Sequence, residues 1–262
     1  VYGTTPATDL NPWSLIAVGD SPDTENMSIV SAGVVIVNAN AGAGDITLDN
    51  DPTNGVGVGP GLGAHDLGDD PTDVVNAVGT NIELNNSDTI VLGTVTANDT
   101  LTVETGTANI EDDDGASPIS VTGITTLETR NGTIILDGPD NDFMAEGDAD
   151  TTLDGSATAE VTLVDSAGDL IVGEIVADTL NLTSTGGNIT DIGTDRVTAE
   201  GVTTVTTNGG SVFLDRVHVN PGDAGHDFQD SVNVDTTNGG GFAANNVTLV
   251  DDTGGLVLGP GA

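Results

Sequence analysis

Acidic side chains are the commonest chemical resource of this chain, and they recur at fixed places. Asp49 and Asp51, then Asp137, Asp140 and Asp142, then Asp215, Asp223 and Asp227, each follow a short strand-like phrase ending in Leu-Asp. A further run is Glu111, Asp112, Asp113 and Asp114. Calcium takes about six to eight hard oxygens, and carboxylates alternating on a tight loop supply several of them. These acids are therefore the candidate calcium ligands, and calcium is the one cofactor expected. The competing reading is a solvated acidic skin. Neither an EF-hand loop nor the glycine-rich calcium nonapeptide is present.

His65 and His226 precede Asp66 and Asp227 in a recurring corner, and Asn141 stands at the equivalent place between them. A catalytic histidine is not exchanged for asparagine in a repeated corner, so these side chains are expected to hold turns. His218 lies on an alternating strand and carries no ligand role. Lyase chemistry on acidic sugars needs basic groups, yet there is no lysine and the arginines are only Arg130, Arg196 and Arg216. Paired carboxylates for glycoside hydrolysis are not singled out among so many acids. No nucleophile elbow, phosphate loop or zinc motif occurs, and no cysteine is available as nucleophile, thiolate ligand or disulfide partner. The expectation is a protein without catalytic residues, not an enzyme.

The formal net charge is −39, from 42 Asp+Glu against 3 Lys+Arg. Such a polyanion repels nucleic acid and anionic membranes, so neither is expected as a partner. No apolar run is long enough to insert in a membrane, and no signal peptide is visible. Asn-x-Ser/Thr sequons stand at Asn26, Asn85, Asn98, Asn131, Asn181, Asn188 and Asn246. A Thr-rich strand beside an Asn turn generates them by composition, and the turn residue Asn131 is the candidate glycosylation site.

The elements that must carry these residues repeat. An apolar phrase around a glycine recurs at Gly3, Gly93, Gly173 and Gly259. A second phrase recurs as AGVVIVNANAGAGDITLD (32–49), TGITTLETRNGTIILD (122–137) and EGVTTVTTNGGSVFLD (200–215). The units are expected at residues 1–92, 93–172 and 173–262, roughly 80–90 residues each. Residues 11–24, with Pro12, Trp13 and Pro22, fit the rhythm least and are read as a cap, a linker or a contact. Within each unit a strand-turn-strand rhythm returns every 20 to 25 residues or so, with period-two alternation and Asn-Gly or Gly-Gly turns.

Short strands, Gly-rich corners and only 2% aromatic residues favour an all-β fold: an elongated β-solenoid of about three longer repeats, each of about four coils. Sandwich domains would need larger core side chains. About 12 coils at ~4.8 Å would give a rod roughly 55–60 Å long.

The phrases LNLTSTGGNIT (180–190) and ITTLETRNGTIIL (124–136) resemble the coils of filamentous-haemagglutinin-like right-handed β-helices of large prokaryotic surface adhesins. The resemblance covers most of residues 28–259 and implies a right-handed coil on an extracellular, cell-surface protein. The secretion domain that starts such adhesins is not recognisable.

The chain opens with Val1, Tyr2 and Gly3 and closes with Leu256, Val257, Leu258 and Gly259, the same phrase. It therefore reads either as an excerpt of a longer array, flanked by further repeats, or as a subunit stacking head-to-tail on itself. These seven residues and Trp13 are the candidate polymer contacts. The functional expectation is a structural cell-surface filament or stalk. The alternative is an adhesin passenger segment that binds a glycan or a host surface protein. Ice binding is a weaker third reading, because the Thr-x-Thr phrases do not form one regular array. Lys-Asn isopeptide crosslinks within the chain are excluded for want of lysine.

Overall fold

In the computed structural model the described residues are 14–15, 35–38, 46–48, 74–86, 89–106, 108–113, 117–129, 132–150, 159–191, 195–215, 225–237, 245–252 and 255–259. Among them there are strands and no helix. Alternation decides each strand. In β7 (Leu101–Thr105) the side chains of Leu101, Val103 and Thr105 are buried, while Thr102 and Glu104 face out. β-branched residues fit that half-buried, pleated surface.

The strands form two ladders, parallel throughout. The first runs β1 (Ser14–Leu15), β2 (Val35–Asn38), β4 (Val74–Gly79), β6 (Ile90–Ala97), β8 (Ile110–Asp112), β11 (Ile134–Leu136), β14 (Val161–Asp165), β16 (Leu180–Ser184), β19 (Thr203–Thr207), β22 (Ser231–Asp235) and β24 (Val257–Leu258). Beside it lie β9 (Ile119–Val121) and β12 (Asp142–Phe143). The second runs β3 (Ile46–Leu48), β5 (Ile82–Asn86), β7, β10 (Thr125–Thr129), β13 (Glu146–Asp150), β15 (Leu170–Ala177), β17 (Ile189–Asp191), β20 (Val212–Leu214) and β23 (Val247–Leu249), with β18 (Val197–Ala199) and β21 (Asp227–Phe228) at its side. The chain alternates between the ladders, so each coil lays one rung on each. This is a β-solenoid.

Register stacks like on like in the core. Ile90, Ile110, Ile134, Val161 and Leu180 follow one another on successive rungs. All but the first and last rungs of such a column are covered above and below, and each buried aliphatic side chain contributes about 1.5–3 kcal/mol.

The repeat does not contain four whole coils. β6 lies in the first ladder, and its sequence counterpart β15 lies in the second. Between them the chain lays down β7, β8 with β9, β10, β11 with β12, β13 and β14. That is seven steps between ladders, or three and a half coils. Successive units therefore exchange sheets, and counterpart faces lie on opposite ladders. The cause is an odd number of strand layers per unit, which hydrophobic periodicity alone does not reveal.

The recurring glycine marks where a unit begins. β6 and β15 are the long strands, each bulged against its predecessor, between Val75 and Ala77 and between Gly147 and Ala149. Gly93 sits in the first bulge. A Cβ there would run into the Val74 side chain and lie 2.7 Å from Asn76 Oδ1. That same oxygen accepts the N–H of Thr94 at 2.8 Å. Beyond the bulge the strand splits its partners: β6 pairs first with β8, then with β9, and β15 first with β17, then with β18.

Candidate functional site

The split leaves an extra corner in the second and third units, and a buried polar side chain closes it. In the second unit this is Asn141, fully buried. Its Oδ1 accepts the N–H of Ile119 at 3.1 Å, and its Nδ2 donates to Asp112 Oδ2 at 2.8 Å. In the third unit His226, also fully buried, makes the same two bonds. Its Nδ1 accepts the N–H of Val197 at 3.0 Å, and its Nε2 lies 2.8 Å from Asp191 Oδ2. An N–H pointing at Nδ1 requires the ring proton on Nε2, which then donates to Asp191. Both nitrogens are occupied and the ring is closed to solvent, so His226 is a corner stitch. His65 lies outside the described residues.

A second carboxylate secures each corner from the next coil. Asp165 Oδ1 accepts the N–H of Phe143 at 3.0 Å, and Asp251 Oδ1 accepts that of Phe228 at 3.1 Å. Asp165 also accepts from Gly168. Burial pushes its carboxyl above the usual carboxylate range, against the lowering effect of these N–H groups, and the nearby Asp142 charge adds to the rise. The other turns use hydroxyls. Thr129 Oγ1 accepts from Gly132, and Ser184 Oγ from Gly187. Thr207 Oγ1 donates to the Gly210 carbonyl. The Thr-x-x-Gly phrase of the sequence is thus a turn closed by its own side chain. An amide-and-hydroxyl ladder then ties coil to coil: Asn188 N–H to Asp169 Oδ1, Ser211 N–H to Asn188 Oδ1, and Asn246 N–H to Ser211 Oγ.

The acidic candidates among the described residues do not converge. Glu111 faces outward and takes a hydrogen bond from Asn109, whereas Asp112, one residue on, is buried and bonds Gly138 and Asn141. Asp113 accepts from Ser117. Strand alternation sends neighbours in such a run to opposite faces. Asp137, Asp140 and Asp215 are exposed and Asp142 is half-buried, while Asp227 pairs with Arg196 at 3.0 Å. Among the described residues no group of three or more His, Asp or Glu side chains is placed to hold a metal ion. Asp49, Asp51, Asp114 and Asp223 lie outside the described residues, as does the sequon at Asn131. Of the other sequons, Asn85, Asn181 and Asn188 each donate their amide to a carboxylate.

Of the candidate polymer contacts, Val1, Tyr2, Gly3 and Trp13 lie outside the described residues. Leu256 packs on the core. Val257 and Leu258 form β24, 57% and 66% exposed, and Gly259 donates to the Val232 carbonyl. What sequence reasoning missed is Asp165 and the two stitch carboxylates, Asp112 and Asp191, as structural anchors. Their signal was an acid closing each of the short strands Ile110–Asp112 and Ile189–Asp191, seven residues before Ile119 and six before Val197.

A family model described as "Repeats of unknown function (DUF5649)" matches residues 79–147 and 157–235, together more than half of the chain. The chain belongs to that family. Each DUF5649 match contains one bulged long strand and reaches the corner stitch of its unit or passes it: the first covers β6 and Asn141, the second β15 and His226. No curated protein and no solved structure matches the chain.

Proposed function

We propose that this DUF5649 chain is a structural, non-enzymatic β-solenoid that forms an extracellular cell-surface filament or stalk by head-to-tail stacking. The observation that carries the reading is at the last described rungs. Among the described residues β23 and β24 each pair with one strand, and they carry exposed Val247, Val257 and Leu258. A parallel edge with exposed aliphatic side chains templates another rung. The next rung comes from a following repeat or from a second copy; both give an axially continuous rod. Load then passes along stacked backbone hydrogen bonds and the aliphatic columns, and the acidic skin holds neighbouring rods apart.

Electron microscopy of the native protein, isolated without denaturant, tests this. Long rods with an axial repeat near one chain length are expected. Loss of the rods on calcium chelation would add calcium bridging between acidic surfaces. Single particles of fixed length would refute the filament.

A further inference from the structure

The exchange of sheets between units makes an internal comparison available. The outward face of β5, β7 and β10 corresponds, one repeat length later, to that of β14, β16 and β19, with β22 continuing the second face. On the first, the register positions are Glu83 and Asn85, Thr102 and Glu104, Thr126 and Glu128. On the second they are Thr162 and Val164, Asn181 and Thr183, Thr204 and Thr206, Asn233 and Asp235. Three acids, Glu83, Glu104 and Glu128, stand on the first face; one, Asp235 at the last position, stands on the second. A chain of net charge −39 thus places no acid at the register positions of β14, β16 and β19, with Glu160 at their edge.

We propose that this face binds an extended, uncharged polysaccharide laid along the solenoid axis. Two columns, Thr162–Asn181–Thr204 and Val164–Thr183–Thr206, run in register side by side along the axis. Rungs repeat at ~4.8 Å, comparable to one pyranose ring. Threonine offers a hydroxyl to sugar hydroxyls and a methyl to sugar C–H groups. Glu160 stands at one edge, holding the Asn181 amide at 2.7 Å and accepting from Thr162 at 2.9 Å, which fixes the first column in place.

Charge and area choose the occupant. An acidic polysaccharide would be repelled by the carboxylates that surround the face. A second copy of the chain would avoid repulsion here, but four rungs of five residues cover roughly 300 Å², well below the ~800 Å² per partner of a stable protein pair. The face also lacks aromatic or Arg anchors of the kind that dominate protein interfaces. The inference does not rest on the filament reading, since an isolated segment carries the same face.

The test is depletion of the full chain from solution by a panel of uncharged polysaccharides (cellulose, β-1,3-glucan, mannan, xyloglucan), with alginate as the acidic control. Saturable depletion by at least one uncharged member, unchanged in 0.5 M NaCl, is expected, with none on alginate. The double variant Thr183→Glu/Thr206→Glu should bind at least about tenfold more weakly, because it places charge where a ligand must be desolvated. Glu104 and Glu128 already stand at the counterpart positions, so the fold accepts these residues, and an unchanged thermal melt checks it. No depletion by any uncharged member, or undiminished binding by the variant, would overturn the proposal. Concentration-dependent dimerisation abolished by the same variant would replace it with self-association. Rod formation is read separately by microscopy, so failure of one idea leaves the other standing.

Discussion

Replacing His226 tests whether the two corners share one design. His226→Leu removes the acceptor for the Val197 N–H and the donor to Asp191 in one step. Val197 is fully buried, so its N–H is left without an acceptor, and a buried orphan of this kind costs about 1–3 kcal/mol. Asp191 retains 11% side-chain exposure and so recovers part of its hydration. The expected loss is about 2–4 kcal/mol. His226→Asn should behave differently. Asn141 makes both bonds with an amide in the other unit, so the substitution restores them and leaves only a small void. A loss of about 1 kcal/mol or less is expected. Urea unfolding gives the stabilities, and amide exchange at Val197 localises the effect. If His226→Asn is as damaging as His226→Leu, the two corners are not equivalent and the stitch reasoning fails.

Three further outcomes follow from the same structure. Gly93→Ala places a methyl against the Val74 and Asn76 side chains and should destabilise by about 1–3 kcal/mol, whereas Gly168→Ala, with nothing within 4 Å of its Cβ, should lie within about 0.5 kcal/mol of the parent; matched urea melts decide between them. Asp165 has a raised folded-state value, so its proton is held more tightly in the native state. Its contribution is then greatest below the unfolded value of 3.8 and declines as pH rises through the folded value. The stability difference between the parent and Asp165→Asn should fall across that window, and a difference that instead rises with pH refutes the burial argument. Finally, self-repulsion at net charge −39 should raise the melting temperature as NaCl increases from 10 to 500 mM; a melt independent of salt would show that the acids are already neutralised.

The strands were legible because one face is buried throughout. Leu-Asn-Leu-Thr-Ser at 180–184 reads as a half-buried strand, and the Ser-x-x-Gly of Ser184 and Gly187 marks the turn that ends it. The equivalence of Asn141 and His226 was also legible, because both precede an Asp in the same corner. The partners Asp112 and Asp191 were not. A carboxylate inside a run such as Glu111–Asp114 looks like a ligand in sequence, since only the fold shows which members turn inward. The number of coils per unit was hidden for a related reason. Periodicity reports where strands lie, but two short strands such as β8 and β9 can share one layer, and that sharing is decided by the bulge at Gly93.

An odd number of strand layers has a consequence that whole coils would not have. With four coils per unit, equivalent strands would stack on one side, and one composition would extend along a whole face. With three and a half, the face carrying Glu104 and Glu128 and the face carrying Thr183 and Thr206 fall on opposite ladders. Sequence drift in a single unit then changes one side of the rod over a limited length while the other side keeps its charge. Acidic stretches sustain repulsion between neighbours, and an uncharged stretch is a gap of defined length within it. Substituting Glu at Thr183 and Thr206 closes that gap without touching the aliphatic columns beneath, because Leu182 and Val205 point the other way. Stability and surface chemistry are therefore separable in this fold, residue by residue along a single strand.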